Sequence, residues 1–127
     1  MLVILDTHAL LWSLFDPQCL SPAARSAISA PRNTVHFSQV SLLEIQIKTD
    51  LGKLSMDIAP AALPAKAEEA GLVFLPLSNR AIFALSRLPP LHRDPFDRLL
   101  ISETLVNHAT LITCDPAVRK YPVRSVW

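Results

Sequence analysis

Four short runs constrain this chain more than any other feature: Leu2-Val3-Ile4-Leu5, Thr34-Val35-His36-Phe37, Leu72-Val73-Phe74-Leu75 and Thr110-Leu111-Ile112-Thr113. The first is too short for a helix and apolar without alternation, which is the pattern of a strand buried on both faces. The others carry the β-branched and aromatic content of strands. Segments at helical spacing separate them. His8 to Phe15 carries Leu10, Leu11, Leu14 and Phe15 and stops at Asp16-Pro17, and Ser21-Pro22 opens a helix to about Ala30. Further helices are predicted from Ser41 to about Asp50 before Gly52, from the Ala-rich stretch beyond Pro60 to Ala70, from Asn79 to Leu88, and from Asp94-Pro95 to Val106 or Asn107. Asp115-Pro116 starts a short helical turn, and Val123 to Val126 is a candidate edge strand. Strands alternating with helices imply right-handed crossovers and an α/β fold, with a central parallel sheet of four to five strands flanked by helices. At 127 residues the chain has the size of one domain, spanning 1–127.

Composition narrows the functional classes only a little. Half the residues are hydrophobic and 18% are charged, an apolar surplus that fits either a partner interface or simply an aliphatic core. A net charge of +1 leaves nucleic acid open, because binding it needs a local basic surface rather than a basic average. The opening apolar run lacks a basic leader and meets Asp6 after five residues, so it reads as neither signal peptide nor membrane span. Cys19 and Cys114 lack metal-ligand spacing and are expected to be free thiols in a cytoplasmic protein.

In a parallel sheet the ligand site lies outside the carboxyl ends of the strands. Four acids fall where such an architecture would gather them: Asp6 directly after the first strand, Glu44 about a turn into the helix after the second, Asp97 in the first turn of the helix before the fourth, and Asp115 just past that fourth strand. Each also has a capping reading. Asp6 and Asp115 could be N-caps, Ser41-Leu42-Leu43-Glu44 fits a capping box, and Asp94 to Asp97 can be read the same way. Taken jointly, four carboxylates at one sheet edge repel one another unless a cation is held between them. Oxygen-only ligation suits Mg²⁺ or Mn²⁺ rather than zinc. His8, His36, His92 and His108 are scattered, and of these His92 stands out by lying just before the Asp94 segment.

Asp94-Pro95-Phe96-Asp97-Arg98-Leu99-Leu100-Ile101 resembles the third acidic motif of the PIN domain, and more closely that of its VapC-type toxins. Leu5-Asp6-Thr7-His8 is similar to the first motif, Ser41 to Ile45 with Lys48 and Gly52-Lys53-Leu54 to the second, and Leu111 to Asp115 to the fourth. The resemblance spans the chain and implies a PIN-like three-layer fold. It carries the family's acids onto Asp6, Glu44, Asp97 and Asp115, which would be both catalytic and metal-holding. Asp94 competes with Asp97 for the third position. The better capping role of Asp94, ahead of a proline, leaves Asp97 to the site. Thr113 could position water or a ligand.

The resemblance further implies an endoribonuclease that hydrolyses RNA phosphodiester bonds with Mg²⁺ or Mn²⁺ and leaves a 3′-hydroxyl and a 5′-phosphate. Such an enzyme would be the toxin of a toxin–antitoxin pair, inhibiting translation and growth, held by a cognate antitoxin and homodimeric. Arg80, Arg87, Arg93 and Arg98 around the third motif, with Arg119, Lys120 and Arg124 near the fourth, are candidates to hold RNA phosphates. The competing reading is an inactive PIN module that only binds protein or RNA. A haloacid-dehalogenase-like phosphatase would want a second Asp where His8 stands, and a receiver domain would want paired acids after the first strand. Both fit poorly.

Overall fold

The computed structural model describes all residues from Met1 to Trp127. The strands are β1 (Leu2–Leu5), β2 (Thr34–Ser38), β3 (Val73–Leu75), β4 (Thr110–Ile112) and β5 (Arg124–Val126). The helices are α1 (Thr7–Phe15), α2 (Pro22–Ser29), α3 (Gln39–Asp50), α4 (Leu63–Glu69), α5 (Asn79–Ala84) and α6 (Pro95–Val106). All strand pairs are parallel, in the order β3-β2-β1-β4-β5. The sheet thus has five strands, and the candidate edge strand is real. The expected α/β architecture is the observed one.

Strand β1 lies at the centre, and its alternation divides the core. Val3 and Leu5 face a cluster with Leu10 of α1, Ala24 of α2, Ile45 of α3 and Leu63 of α4. Ile4 faces the opposite side, with Leu100 and Ile101 of α6 and Leu111 of β4. Burial on both faces is why β1 has no polar residue until it ends. From β1 the chain steps to β2 and β3 on one side and later returns to β4 on the other. The boundary between β1 and β4 is therefore the topological switch point, where successive crossovers leave in opposite directions and open a crevice. Leu5 pairs with both Phe37 and Ile112, so the carboxyl ends of the three strands are level.

Helix ends follow local chemistry, with corrections to the expected boundaries. Helix α3 starts at Gln39, not Ser41, because the Ser38 hydroxyl accepts from the Val40 amide at 3.0 Å and caps it. The Ser41 to Glu44 segment is therefore no capping box, and both residues are buried one turn inside. Helix α5 is shorter than expected, tightening into a 3₁₀ turn over Leu85–Arg87. Helices α3 and α6 end in the same Schellman geometry. After α3, Lys53 and Gly52 donate back to Lys48 and Thr49 with Gly52 at φ 71°; after α6, Ala109 and His108 donate to Thr104 and Leu105 with His108 at φ 51°.

Candidate active site

The crevice at the switch point is lined by acids whose backbones are fixed by the fold. Asp6 leaves β1 with its amide donating to the Ile112 carbonyl of β4 at 3.1 Å. Its Oδ1 accepts from the Ala9 amide at 2.8 Å, so Asp6 does cap α1, as the capping reading held. The Thr113 hydroxyl also donates to its carboxylate. Burial raises the Asp6 pKa, and the bonds from Thr113 and Ala9 only partly offset this.

Glu44 reaches the crevice from α3. Its Oε1 accepts from the Thr7 hydroxyl at 2.6 Å, and its Oε2 pairs with Lys48 one turn along the same helix. That pairing raises the Lys48 pKa. The Ser41 hydroxyl lies 3.0 Å from Thr7 and completes a buried polar set that ties the start of α1 to α3. Sequence reading quoted Lys48 only as part of a motif and gave Thr7 no role. The Glu44–Lys48 pair has a local signal in its i,i+4 spacing on one helix, whereas the Thr7 contact has none, since it depends on α1 and α3 meeting.

The two acids of the Asp94 segment divide their work. Asp94 accepts from the Phe96 amide at 2.9 Å and caps α6. Asp97, three residues on, makes no cap. Its Oδ2 lies 3.0 Å from Nε2 of His92, and the same nitrogen is 3.1 Å from Oδ2 of Asp115. Asp115 also accepts from the Ala117 amide at 2.9 Å and receives at its own amide the Thr113 hydroxyl as acceptor, 3.1 Å away. Burial, then the neighbouring Asp94, push the Asp97 pKa up to about 7, with Glu44 and Asp115 adding to the push and His92 opposing it.

His92 is the group that sequence reading only flagged. Its Nδ1 accepts from the Asp94 amide at 3.1 Å, which assigns the ring proton to Nε2, between Asp97 and Asp115. The ligand atoms of His92, Asp97 and Asp115 all lie within 4.8 Å of one another. Asp6 and Glu44 stand outside that tight triangle, but Asp6, Glu44, Asp94, Asp97 and Asp115 line one cavity of about 90 Å³. Five carboxylates there face one lysine and two histidines along its rim. Such a hard, oxygen-rich and electrostatically unbalanced donor set fits a divalent cation of the Mg²⁺ or Mn²⁺ kind.

The arginines are distributed differently from the expected basic rim. Arg98 is tied into the fold: its guanidinium donates to the carbonyls of Pro89 at 3.1 Å and Leu85 at 3.2 Å, and to the Tyr121 hydroxyl at 3.3 Å. It braces the loop before α6 and is not presented to a phosphate. Arg80 and Arg87 line a separate cavity between α5 and α6 that shares no residue with the acidic one. Arg93 is exposed beside His92 and Asp94.

Residues 3–123 match the PIN domain. The chain belongs to the PIN domain family. The expected resemblance thus holds at family level. Solved structures agree on the fold. The chain is similar to a chain of VapBC2 from Rickettsia felis bound to a DNA fragment from its promoter, at 18% identity and a TM-score of 0.74, covering 100% of this chain and 99% of the other. It is also similar to VapBC-1 from nontypeable Haemophilus influenzae, at 16% identity and a TM-score of 0.66, covering 99% and 97%. FitAcB from Neisseria gonorrhoeae follows at 13% identity and 0.56, covering 98% and 96%. No curated protein matches the sequence. In this PIN domain the acids gather at the switch-point crevice.

Proposed function

We propose that this PIN domain is a metal-dependent endoribonuclease and the toxin of a toxin–antitoxin pair. The observation that carries the reading is the convergence of Asp6, Glu44, Asp97 and Asp115, from four separate elements, on one cavity at the switch point. Capping alone explains Asp6 and Asp94. It leaves Asp97 unexplained, a carboxylate pushed up to a pKa of about 7 by burial and then by the neighbouring Asp94, with no amide to cap.

Asp6 and Asp97 would be the principal ligands of Mg²⁺ or Mn²⁺, with Asp115 holding a second or weaker ion. Held by these carboxylates, a divalent cation would supply the positive charge that offsets them and the phosphodiester oxygens. The chain's own residues do the rest. Glu44, fixed by Thr7 and Lys48, orients the attacking water as its hydrogen-bond acceptor. Thr113, bridging the Asp6 carboxylate and the Asp115 amide, keeps the two acids in register. His92 holds Asp97 and Asp115 through one Nε2–H. In-line attack would join the water oxygen to phosphorus and break the P–O3′ bond, the water's proton passing by way of Glu44 and solvent to the departing oxygen, to leave a 3′-hydroxyl and a 5′-phosphate.

Two partners accompany the reading. Free ribonuclease activity is lethal, so an antitoxin would cover the site, in keeping with neighbours described as VapBC complexes. Leu43 and Ile47 of α3 and Leu51 directly after it have exposures of 49%, 38% and 63%, a stripe suited to homodimerisation. No helix is long and apolar enough to cross a membrane, and we place the activity in the cytoplasm with its RNA. The test is cleavage of an unstructured RNA with Mn²⁺, and with EDTA in its place, followed by sequencing of the cut ends. Metal-dependent cuts with 5′-phosphates are expected. RNA or protein binding without cleavage would leave the inactive module.

A further inference from the structure

We propose that the groove between α1 and the Leu54–Asp57 segment seats an unpaired nucleobase next to the scissile phosphate, with guanine preferred; this rests on the RNA-cleavage reading above. The groove encloses about 340 Å³, within the range of small-molecule sites. It adjoins the acidic cavity, with His8 lining both. A strand whose phosphate lies at the acids therefore carries its neighbouring base over His8.

The walls of the groove suit a base. His8 and Trp12 are one helical turn apart on α1, with ring centroids 5.5 Å apart and planes tilted by 30°. Trp12 continues the tier to Trp127 at 5.6 Å. The His8 side is exposed, so a flat ring can extend this tier at its outer end. Single-stranded RNA is held in this way, by stacking on His, Trp, Tyr or Phe.

The groove's charge selects which part of a nucleotide enters. Asp16 and Asp57 are exposed carboxylates on its lining, and Asp16 has only a 3.4 Å contact from Gln18. Two negative groups repel a phosphate and accept from a donor edge. Guanine alone among the four bases presents two adjacent donors, N1–H and the N2 amino group, as a bidentate match to one carboxylate. A cationic peptide would also satisfy the carboxylates, but the aromatic pair of His8 and Trp12, with His8 also bordering the phosphate site, favours the nucleotide.

Trp12 lines the groove and packs against Trp127, the one other tryptophan of the chain, so intrinsic fluorescence reports on this groove. The experiment titrates the whole protein in EDTA with guanosine, adenosine, cytidine and uridine, neutral probes that need neither metal nor phosphate. Saturable quenching by guanosine is expected, with a roughly tenfold preference over the other nucleosides. His8→Ala should weaken it. Asp16→Asn with Asp57→Asn should erase the preference while a residual stacking signal remains. As a second readout, wild type should cut an unstructured RNA beside guanine, and the double variant should still cut but with that preference lost. Absence of saturable quenching, equal quenching by all four nucleosides, or indifference to these substitutions would overturn the proposal. So would a groove that binds an antitoxin peptide and no nucleoside. If no RNA is cut under any condition, the nuclease reading fails, and the nucleoside titration still decides the groove.

Discussion

The Ser38 hydroxyl donates to Oε2 of Glu103 at 2.5 Å across the core, linking the cap of α3 to the middle of α6. Glu103 is 1% exposed and its other oxygen has no partner. Burial raises its pKa from the ordinary 4.5 to about 7, only partly offset by the Ser38 bond. The folded state therefore holds a proton between those values that the unfolded state releases. Its contribution to stability is fully present below about pH 4.5 and is lost as pH rises through about 7. In EDTA the wild type should weaken from pH 5 to pH 8, by on the order of 2 kcal/mol from this group. Glu103→Gln should keep the Ser38 bond and flatten that loss, which melting curves at the two pH values would show.

Asp97 has the same sign in the metal-free protein, since its pKa also stands near 7. Asp97→Asn should raise the melting temperature in EDTA at pH 8, remove most of the Mn²⁺-induced stabilisation, and lower cleavage by at least about 100-fold. Asp94→Asn should cost less, because Asn caps a helix nearly as well. The reverse order of effects would transfer the third acid to Asp94.

Asp6 is both cap and proposed ligand. Asp6→Asn keeps an acceptor for the Ala9 amide and removes one charge from the cavity. The EDTA melting temperature should stay level or rise, while the response to millimolar Mn²⁺ disappears. An unaltered Mn²⁺ response would count against Asp6 as a ligand.

His108 closes α6 at φ 51°, a conformation that costs a side chain and suits glycine. Its side chain is exposed. His108→Gly should stabilise the fold by on the order of 0.5–1 kcal/mol, read as a higher urea midpoint at unchanged slope, with cleavage unaffected.

Arg98 and Arg93 should separate cleanly. Arg98→Lys loses the fork that reaches Pro89, Leu85 and Tyr121 and should destabilise by about 2 kcal/mol. Arg93→Ala should leave the melting temperature unchanged, weaken RNA binding, and reduce the salt slope of that binding by about one ion.

The sequence by itself determined the order of strands and helices and the residues that end them. A continuous apolar run marks β1, β-branched content marks β4, and Asp6, Ser21 and Asp94 cap helices through bonds that close within three residues. Local chemistry of this kind is readable because donor and acceptor are neighbours in the chain. It misplaced the start of α3, since Ser38 and Ser41 are equally good caps locally, and only the end of β2 in the sheet chose between them. The acids at strand ends were legible, but their division of labour was not. That His92 sits between Asp97 and Asp115, that Glu44 is held by Thr7, and that Arg98 is spent on Tyr121 each require residues far apart in sequence to meet. The tertiary structure decided these by setting β4 beside β1, so that the ends of two strands more than a hundred residues apart open into one crevice.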